Sequence, residues 1–411
     1  MNHSFFILAV FCLVYAGMVL GRLPGLSMDR SGVAVLGAIA LVAGGAISGV
    51  GARESVDIPT MGLLFGLMVV SAQLRLGGFY TLVTRRITEM GKNPRALLAA
   101  VIVSSGVLSA LLANDIVCLA MAPILVEGCS RRGLNPLPHL LGLAAGANVG
   151  SAALLIGNPQ NMLIGQVAGI SFAAYAREAL PPAILGLFAV YGVLAILYRG
   201  RFHAPVREIS VPAPHYDAWQ SGKGLFILCA ALAAFLWGPW PREVSALAAA
   251  GVILASRKFA TREIFSLIDW HLLLLFSGLF VVNECMRTSG LSQQMMAWLG
   301  GKGLDLGRPA PLFLFTVVLS NVVSNVPAVM LLLPEHHSER EAILLALSST
   351  LAGNLFLQGS IANLIVAEQA ERLNVRIPFL RHLISGVPIT LATLAVAGLW
   401  LWLRWDSIPG G

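Results

Sequence analysis

Gly157-Asn158-Pro159-Gln160-Asn161 lies within the stretch 133–176, which contains no Asp, Glu, Lys or Arg. Proline lacks a backbone donor and its ring clashes with the preceding turn, so a helix breaks at this pentapeptide. Broken backbone is tolerated at membrane depth only where it is buried in protein or lines a wet cavity. A second such stretch, Gly359-Ser360-Ile361-Ala362-Asn363, stands in the uncharged run 342–367. Each follows a polar interruption of an apolar run. Ala113-Asn114-Asp115 precedes the first, and Ser324-Asn325-Val326 precedes the second. Two matched placements of residues that are costly in lipid point to paired half-sites for something small and polar.

The surrounding composition makes lipid the relevant solvent. The 411 residues are 57% hydrophobic and only 11% charged, where a soluble chain carries about a quarter charged residues. A transmembrane helix needs about 20 mostly apolar residues, and ten or eleven hydrophobic segments are expected. The chain therefore reads as an all-α polytopic membrane protein in contact with the lipid bilayer. Its first segment, Phe5 to Leu20, lacks a small-residue cleavage site and reads as a retained helix. The net charge of +7 sits in loops, where it reports orientation and does not indicate a nucleic acid partner.

Internal comparison divides the chain into residues 1–198 and 223–411, joined by a polar linker at 199–222 that holds Pro205, Pro212 and Pro214. Phe65-Gly66-Leu67-Met68-Val69-Val70 matches Ser277-Gly278-Leu279-Phe280-Val281-Val282 at an offset of 212, and Asn114 matches Asn325 at 211. Both Asn114 and Asn325 precede a proline, Pro123 or Pro334, by nine positions. Weak internal repeats of this kind are typical of secondary transporters. Each half is predicted to hold a re-entrant hairpin, at 96–126 and 310–334, and a broken helix, at 138–169 and 342–370. Stretches 76–92 and 290–306, ahead of the hairpins, read as amphipathic arms along the interface.

With hairpins that enter and leave on one side, the repeats are inverted. Eight of the 27 Lys and Arg then share one face: Arg53, Arg177, Arg242, Arg287, Lys302, Arg308, Arg340 and Arg404. The other face holds the rest, including Arg22, Arg30, Lys92 and Arg207, and is cytoplasmic by the positive-inside rule. Both termini fall outside. The expected location is a bacterial inner membrane.

The broken helices carry the chemistry. Freed carbonyls can ligate a cation, and a half-helix N-terminus attracts an anion. Asn114, Asn158, Asn161, Ser324, Asn325, Ser360 and Asn363 are the expected substrate-binding residues. Asp115, with Asn148, Gly157 and Gly359, is expected to handle a coupling proton or ion, with a sodium site near Asp115 and Asn158. A carboxylate at the membrane centre costs about 2.5–3.5 kcal/mol on insertion scales, which a cation site would justify; the alternative is an Asp that caps its helix. Ser151, Asn354 and Gln358 lie near the same breaks. Glu284 and Glu368 are weaker candidates. Cys12, Cys118, Cys129, Cys229 and Cys285 make no metal-ligand spacing. No HExxH, nucleophile constellation or Walker loop occurs, so an enzyme, a resident cofactor and direct ATP drive are not expected.

Ala113-Asn114-Asp115, Ile156-Gly157-Asn158-Pro159-Gln160-Asn161, Ser324-Asn325-Val326-Pro327 and Gly359-Ser360-Ile361-Ala362-Asn363-Leu364-Ile365 resemble the ion transporter superfamily over essentially the whole chain. The likeness is nearest to the bacterial anion permease branch, beside arsenite permeases and sodium/proton antiporters. Divalent anion–sodium symporters are more distant. The resemblance implies a homodimer whose transport domains move as elevators. Those symporters carry Ser-Asn-Thr at both tips; Asp115 and Val326 depart from it, which puts dicarboxylate binding in doubt. The expected function is secondary active transport of a small anion, an inorganic oxyanion or carboxylate, coupled to protons or sodium. Proton-coupled efflux of arsenite- or silicate-like metalloid acids and sodium/proton antiport are the alternatives within the class; an ion channel suits paired hairpins less well.

Overall fold

The computed structural model describes residues 3–21, 28–89, 93–203, 209–212, 214–335 and 338–408. Arg22, Lys92 and Arg207, positions 204–208 and 213 of the expected linker, and positions 90–92 of the first expected arm lie outside these. Among the described residues the chain is built of helices, in the order α1 (His3–Leu20), α2 (Arg30–Ala43), α3 (Gly49–Ser55), α4 (Ile58–Leu76), α5 (Phe79–Glu89), α6 (Pro94–Leu111), α7 (Asn114–Arg131), α8 (Pro136–Ser151), α9 (Pro159–Val167) and α10 (Phe172–Leu197). A second series follows: α11 (Ala218–Trp237), α12 (Arg242–Leu254), α13 (Thr261–Phe265), α14 (Trp270–Thr288), α15 (Leu291–Gly301), α16 (Pro309–Val323), α17 (Asn325–Leu332), α18 (Glu339–Ala352), α19 (Ile361–Arg372) and α20 (Phe379–Arg404).

The two series agree in local detail. Asp57 caps α4 by accepting from Thr60 N at 2.7 Å, and Asp269 caps α14 by accepting from Leu272 N at 2.9 Å. Both helices have 19 residues. Both lead into a glycine at positive φ, Gly78 at 73° and Gly290 at 75°, a conformation that glycine reaches without steric cost. Each turn starts an 11-residue helix, α5 or α15, where an interfacial arm is expected. α15 is bent by 72° from α14.

The halves interlock. α2 packs on α14, and α4 packs on α12. A Cβ at Gly66 would stand 2.6 Å from the Ala246 carbonyl carbon, and one at Gly278 would stand 2.5 Å from that of Ala34. Glycine at these matched positions lets two helix backbones touch, as small residues do in membrane packing. Farther out, α10 packs on α20, where the fully buried Glu178 receives Arg404 Nη2 at 2.8 Å and Nε at 3.2 Å.

Among the described residues six helices are long and apolar enough to cross a membrane, or seven if the bent α14–α15 pair is one span. The ten or eleven expected hydrophobic segments also take in shorter apolar helices such as α2 and α16, and four apolar stretches are divided by a break. α6 and α7 meet at Leu112-Ala113, and α16 and α17 meet at Ser324. The breaks between α8 and α9 and between α18 and α19 lie at 152–158 and 353–360. The linker ends sooner than expected: Asp217 accepts from Gln220 N at 3.0 Å and starts α11 at Ala218.

Candidate functional site

Four helix starts converge. Asn114 and Asn325 open α7 and α17, while Asn158 and Ser360 are the N-caps of α9 and α19. α19 packs on α7 and α9 packs on α17, so the helix after each break meets a helix of the other half. Between them lies a cavity of ≈ 30 Å³. The first half lines it with Asn114, Asp115, Asn148, Ser151, Asn158 and Gln160. The second half contributes Ser324, Asn325, Thr350 and Ser360, with Leu272, Val326 and Ile361 as apolar wall.

The breaks are held by one bonding scheme used twice. Asn161 Nδ2 donates to Ser151 O at 3.3 Å and Leu154 O at 3.4 Å. Asn363 Nδ2 donates to Gly353 O at 2.9 Å and Phe356 O at 3.2 Å. These are carbonyls freed where each helix stops. The caps then reach across: Asn158 Nδ2 donates to Thr350 Oγ1 at 3.2 Å, and Ser360 Oγ donates to Asn148 Oδ1 at 2.8 Å. Thr350 Oγ1 also donates to Asn161 Oδ1 at 3.4 Å, and Asn148 Nδ2 donates to Asn363 Oδ1 at 3.1 Å. Every bond recurs with the halves exchanged at an offset of 202. At Gly157 a Cβ would come within 2.2 Å of Ser151 O, so only glycine lets the break fold back this closely.

The starts of α7 and α17 leave polar groups unsatisfied. Asp115, half-buried in the first turn of α7, makes no capping bond and no hydrogen bond or ion pair among the described residues. This rules out the helix-capping alternative. Its charge sits at a helix N-terminus, where the macrodipole favours it. Asn325 Oδ1 is buried and without a hydrogen-bond partner. Ser324 holds φ 80°, ψ 160°, a region that is essentially glycine-only and costs about 1–3 kcal/mol. Among the described residues no Lys, Arg or His lines the cavity. On one side Leu272 and Ile361 separate it from an open vestibule of ≈ 770 Å³ that Asp29, Arg30, Asp269 and His271 also line.

A profile described as citrate transporter (CitMHS) matches residues 6–342. The chain belongs to the citrate transporter family. Its relatives include the silicon efflux transporter LSI3 of Oryza sativa subsp. japonica, 28% identical over 92% of this chain and 93% of that protein. The putative transporter arsB of Dictyostelium discoideum is 24% identical over 95% and 90% of the two chains. The inner membrane protein YbiR of Escherichia coli is 29% identical over 82% and 86%. The crystal structure of the YdaH transporter of Alcanivorax borkumensis, described as having an unusual topology, covers 100% of this chain and 99% of its own at a TM-score of 0.60 and 16% identity. The fold is thus that of a membrane transporter, and the family is one of transporters, not enzymes.

Against this family background the expected site residues separate into two groups. Asn114, Asp115, Asn148, Asn158, Ser324, Asn325 and Ser360 line the cavity. Asn161, Asn363, Gly157 and Gly359 do not; they stand behind its wall, shaping the breaks. The asparagines point backwards because position N3 of a helix faces its own freed turn. Asn354 accepts from Asn148 Nδ2 at 2.9 Å, behind the wall, and Gln358 opens to the vestibule. Glu284 and Glu368 pair with Arg287 and Arg372 at 2.7 and 2.6 Å. Sequence reasoning missed Thr350, Gln160 and Tyr175, whose hydroxyl accepts from Asn161 Nδ2 at 2.9 Å. Thr350 was findable, since it lies 202 positions after Asn148.

Proposed function

We propose that this chain is a secondary active transporter of a small oxyacid, coupled to a proton or sodium ion at Asp115. One observation carries the reading. An unpaired carboxylate lies on a cavity whose other polar lining is amides and hydroxyls, with no basic side chain among the described residues. A neutral silicate- or arsenite-like acid donates hydrogen bonds to Asp115 and Asn325 Oδ1 and accepts them from the amides. A bare anion meets Asp115 with no counter-charge. The names of the Oryza and Dictyostelium relatives support the metalloid class. Efflux driven by cation entry fits this arrangement.

A carboxylate such as citrate is the second reading, favoured by the description of the family. It requires a cation bound with it to offset Asp115. Sodium/proton antiport uses the same carboxylate without a solute.

The mechanism we propose is alternating access by inverted repeats, in which the two hairpins and two broken helices move as an elevator against α2, α4, α12 and α14. The exchanged bonding between the halves supports it. The protein works as a homodimer in a bacterial inner membrane with both termini outside. Flux into proteoliposomes of silicic acid, arsenite, phosphate and citrate, each under a pH or sodium gradient, tests the function. Gradient-driven flux of at least one solute is expected; no flux of any under either gradient contradicts the reading.

A further inference from the structure

We infer that a second small cavity, on the other side of Asn114 and Asp115, is a sodium-ion site to which Asp269 supplies a second carboxylate. This inference rests on the cation-coupled reading above. The cavity measures ≈ 40 Å³ and is lined by Asn114, Asp115 and Asp269 among apolar side chains such as Leu64, Met68 and Met162. It shares Asn114 and Asp115 with the oxyacid cavity, so the tip of the first hairpin stands between two chambers.

The donor set is unspent. Asp269 uses Oδ1 to cap α14, and its Oδ2 has no hydrogen bond among the described residues. Asp115 and the buried side chain of Asn114 likewise have none. Hard cations take oxygen ligands, and these three residues offer carboxylate and amide oxygens. The charge also fits. Two carboxylates face the N-termini of α7 and α14, each worth roughly half a positive charge. That leaves about one negative charge in an apolar wall that contains no Lys, Arg or His among the described residues. One monovalent cation neutralises it. The Asn114 amide adds a third oxygen to the two carboxylates, and a metal ion gathers several oxygen ligands where a proton needs only two.

Entry follows from the same residue. Asp269 and Leu272 line both this cavity and the ≈ 770 Å³ vestibule, so Asp269 stands where an ion leaves water. Asp57 provides the contrast. It caps α4 as Asp269 caps α14, yet it lines neither small cavity nor the vestibule.

The test is thermal unfolding of the purified full chain in detergent with NaCl or choline chloride at equal ionic strength. Ligand that binds the native state raises the midpoint by mass action. Sodium is expected to raise the midpoint of the wild type. Asp269→Asn and Asp269→Ser keep a good helix cap and are expected to weaken apparent sodium affinity by at least about tenfold, the loss of one charged ligand. Asp57→Asn keeps the wild-type response. Three results each overturn the inference: no sodium response in the wild type, a full response in both Asp269 variants, or an equal loss in Asp57→Asn. Binding needs no solute, so a protein that transports an oxyacid yet ignores sodium sinks this site and leaves the function standing.

Discussion

The Asn148 side-chain amide of α8 donates to Asn363 Oδ1 of α19 at 3.1 Å, joining residues 215 positions apart. Its oxygen accepts from Ser360 Oγ at 2.8 Å, and its nitrogen also donates to Asn354 Oδ1 at 2.9 Å. One side chain in the first half thus holds both the break and the cap of the second. All four residues are buried. Removing the amide leaves buried polar atoms unmatched, at about 1–3 kcal/mol each. Asn148→Ala is therefore expected to lower the thermal midpoint clearly and to abolish flux, measured by unfolding in detergent and by proteoliposome uptake.

Thr350 does for the first break what Asn148 does for the second. Its hydroxyl accepts from Asn158 Nδ2 at 3.2 Å and Gln160 Nε2 at 3.1 Å. Thr350→Val keeps the shape and removes the hydroxyl, so two buried donors lose a partner. The expected cost is about 1–3 kcal/mol, with a raised KM for the solute. Thr350→Ser restores both. Unfolding and concentration-dependent flux for the two variants check this.

Ser324 pays for its place at the second tip with backbone strain, at φ 80° and ψ 160°. Ser324→Gly accepts that conformation without penalty and is expected to stabilise the protein by about 1 kcal/mol, while the lost hydroxyl and the loosened tip reduce flux. Ser324→Ala keeps the strain and gains no stability. A midpoint that falls in Ser324→Gly contradicts the strained assignment.

Away from the cavity, Glu178 joins α10 to α20 through Arg404, and Arg177 Nε also reaches it at 3.0 Å. The carboxylate is fully buried, but the Arg404 and Arg177 side chains are 35% and 59% exposed. Solvent screening reduces the pair's worth below that of a fully buried one. Glu178→Gln is expected to destabilise by about 2 kcal/mol and to leave the solute KM unchanged, as read by unfolding and flux.

The sequence revealed the interruptions better than the walls. Asn114-Asp115, Ser324-Asn325 and the two glycine-led breaks stand out because polar residues in apolar runs are costly, and the structure places them around one cavity. Asn161 and Asn363 misled as cavity residues, because side-chain direction at a break depends on which carbonyls the turn exposes. Tyr175 was silent, since a Tyr in an apolar helix carries no pattern of its own, whereas Thr350 shows only through its offset of 202 from Asn148. Asp269 reads as a helix cap, like Asp57. Only the three-dimensional packing of α14 beside the first tip separates the two.

The most direct measurement is oxyacid flux into proteoliposomes by wild type and Asp115→Asn, under imposed sodium and pH gradients. The account predicts that the wild type follows one of the two gradients. Asp115→Asn, folded and of similar shape, should lose that dependence and the accumulation it drives. Wild-type accumulation and unchanged dependence on both gradients in Asp115→Asn would contradict the assignment of Asp115 as the coupling residue, and with it the central claim.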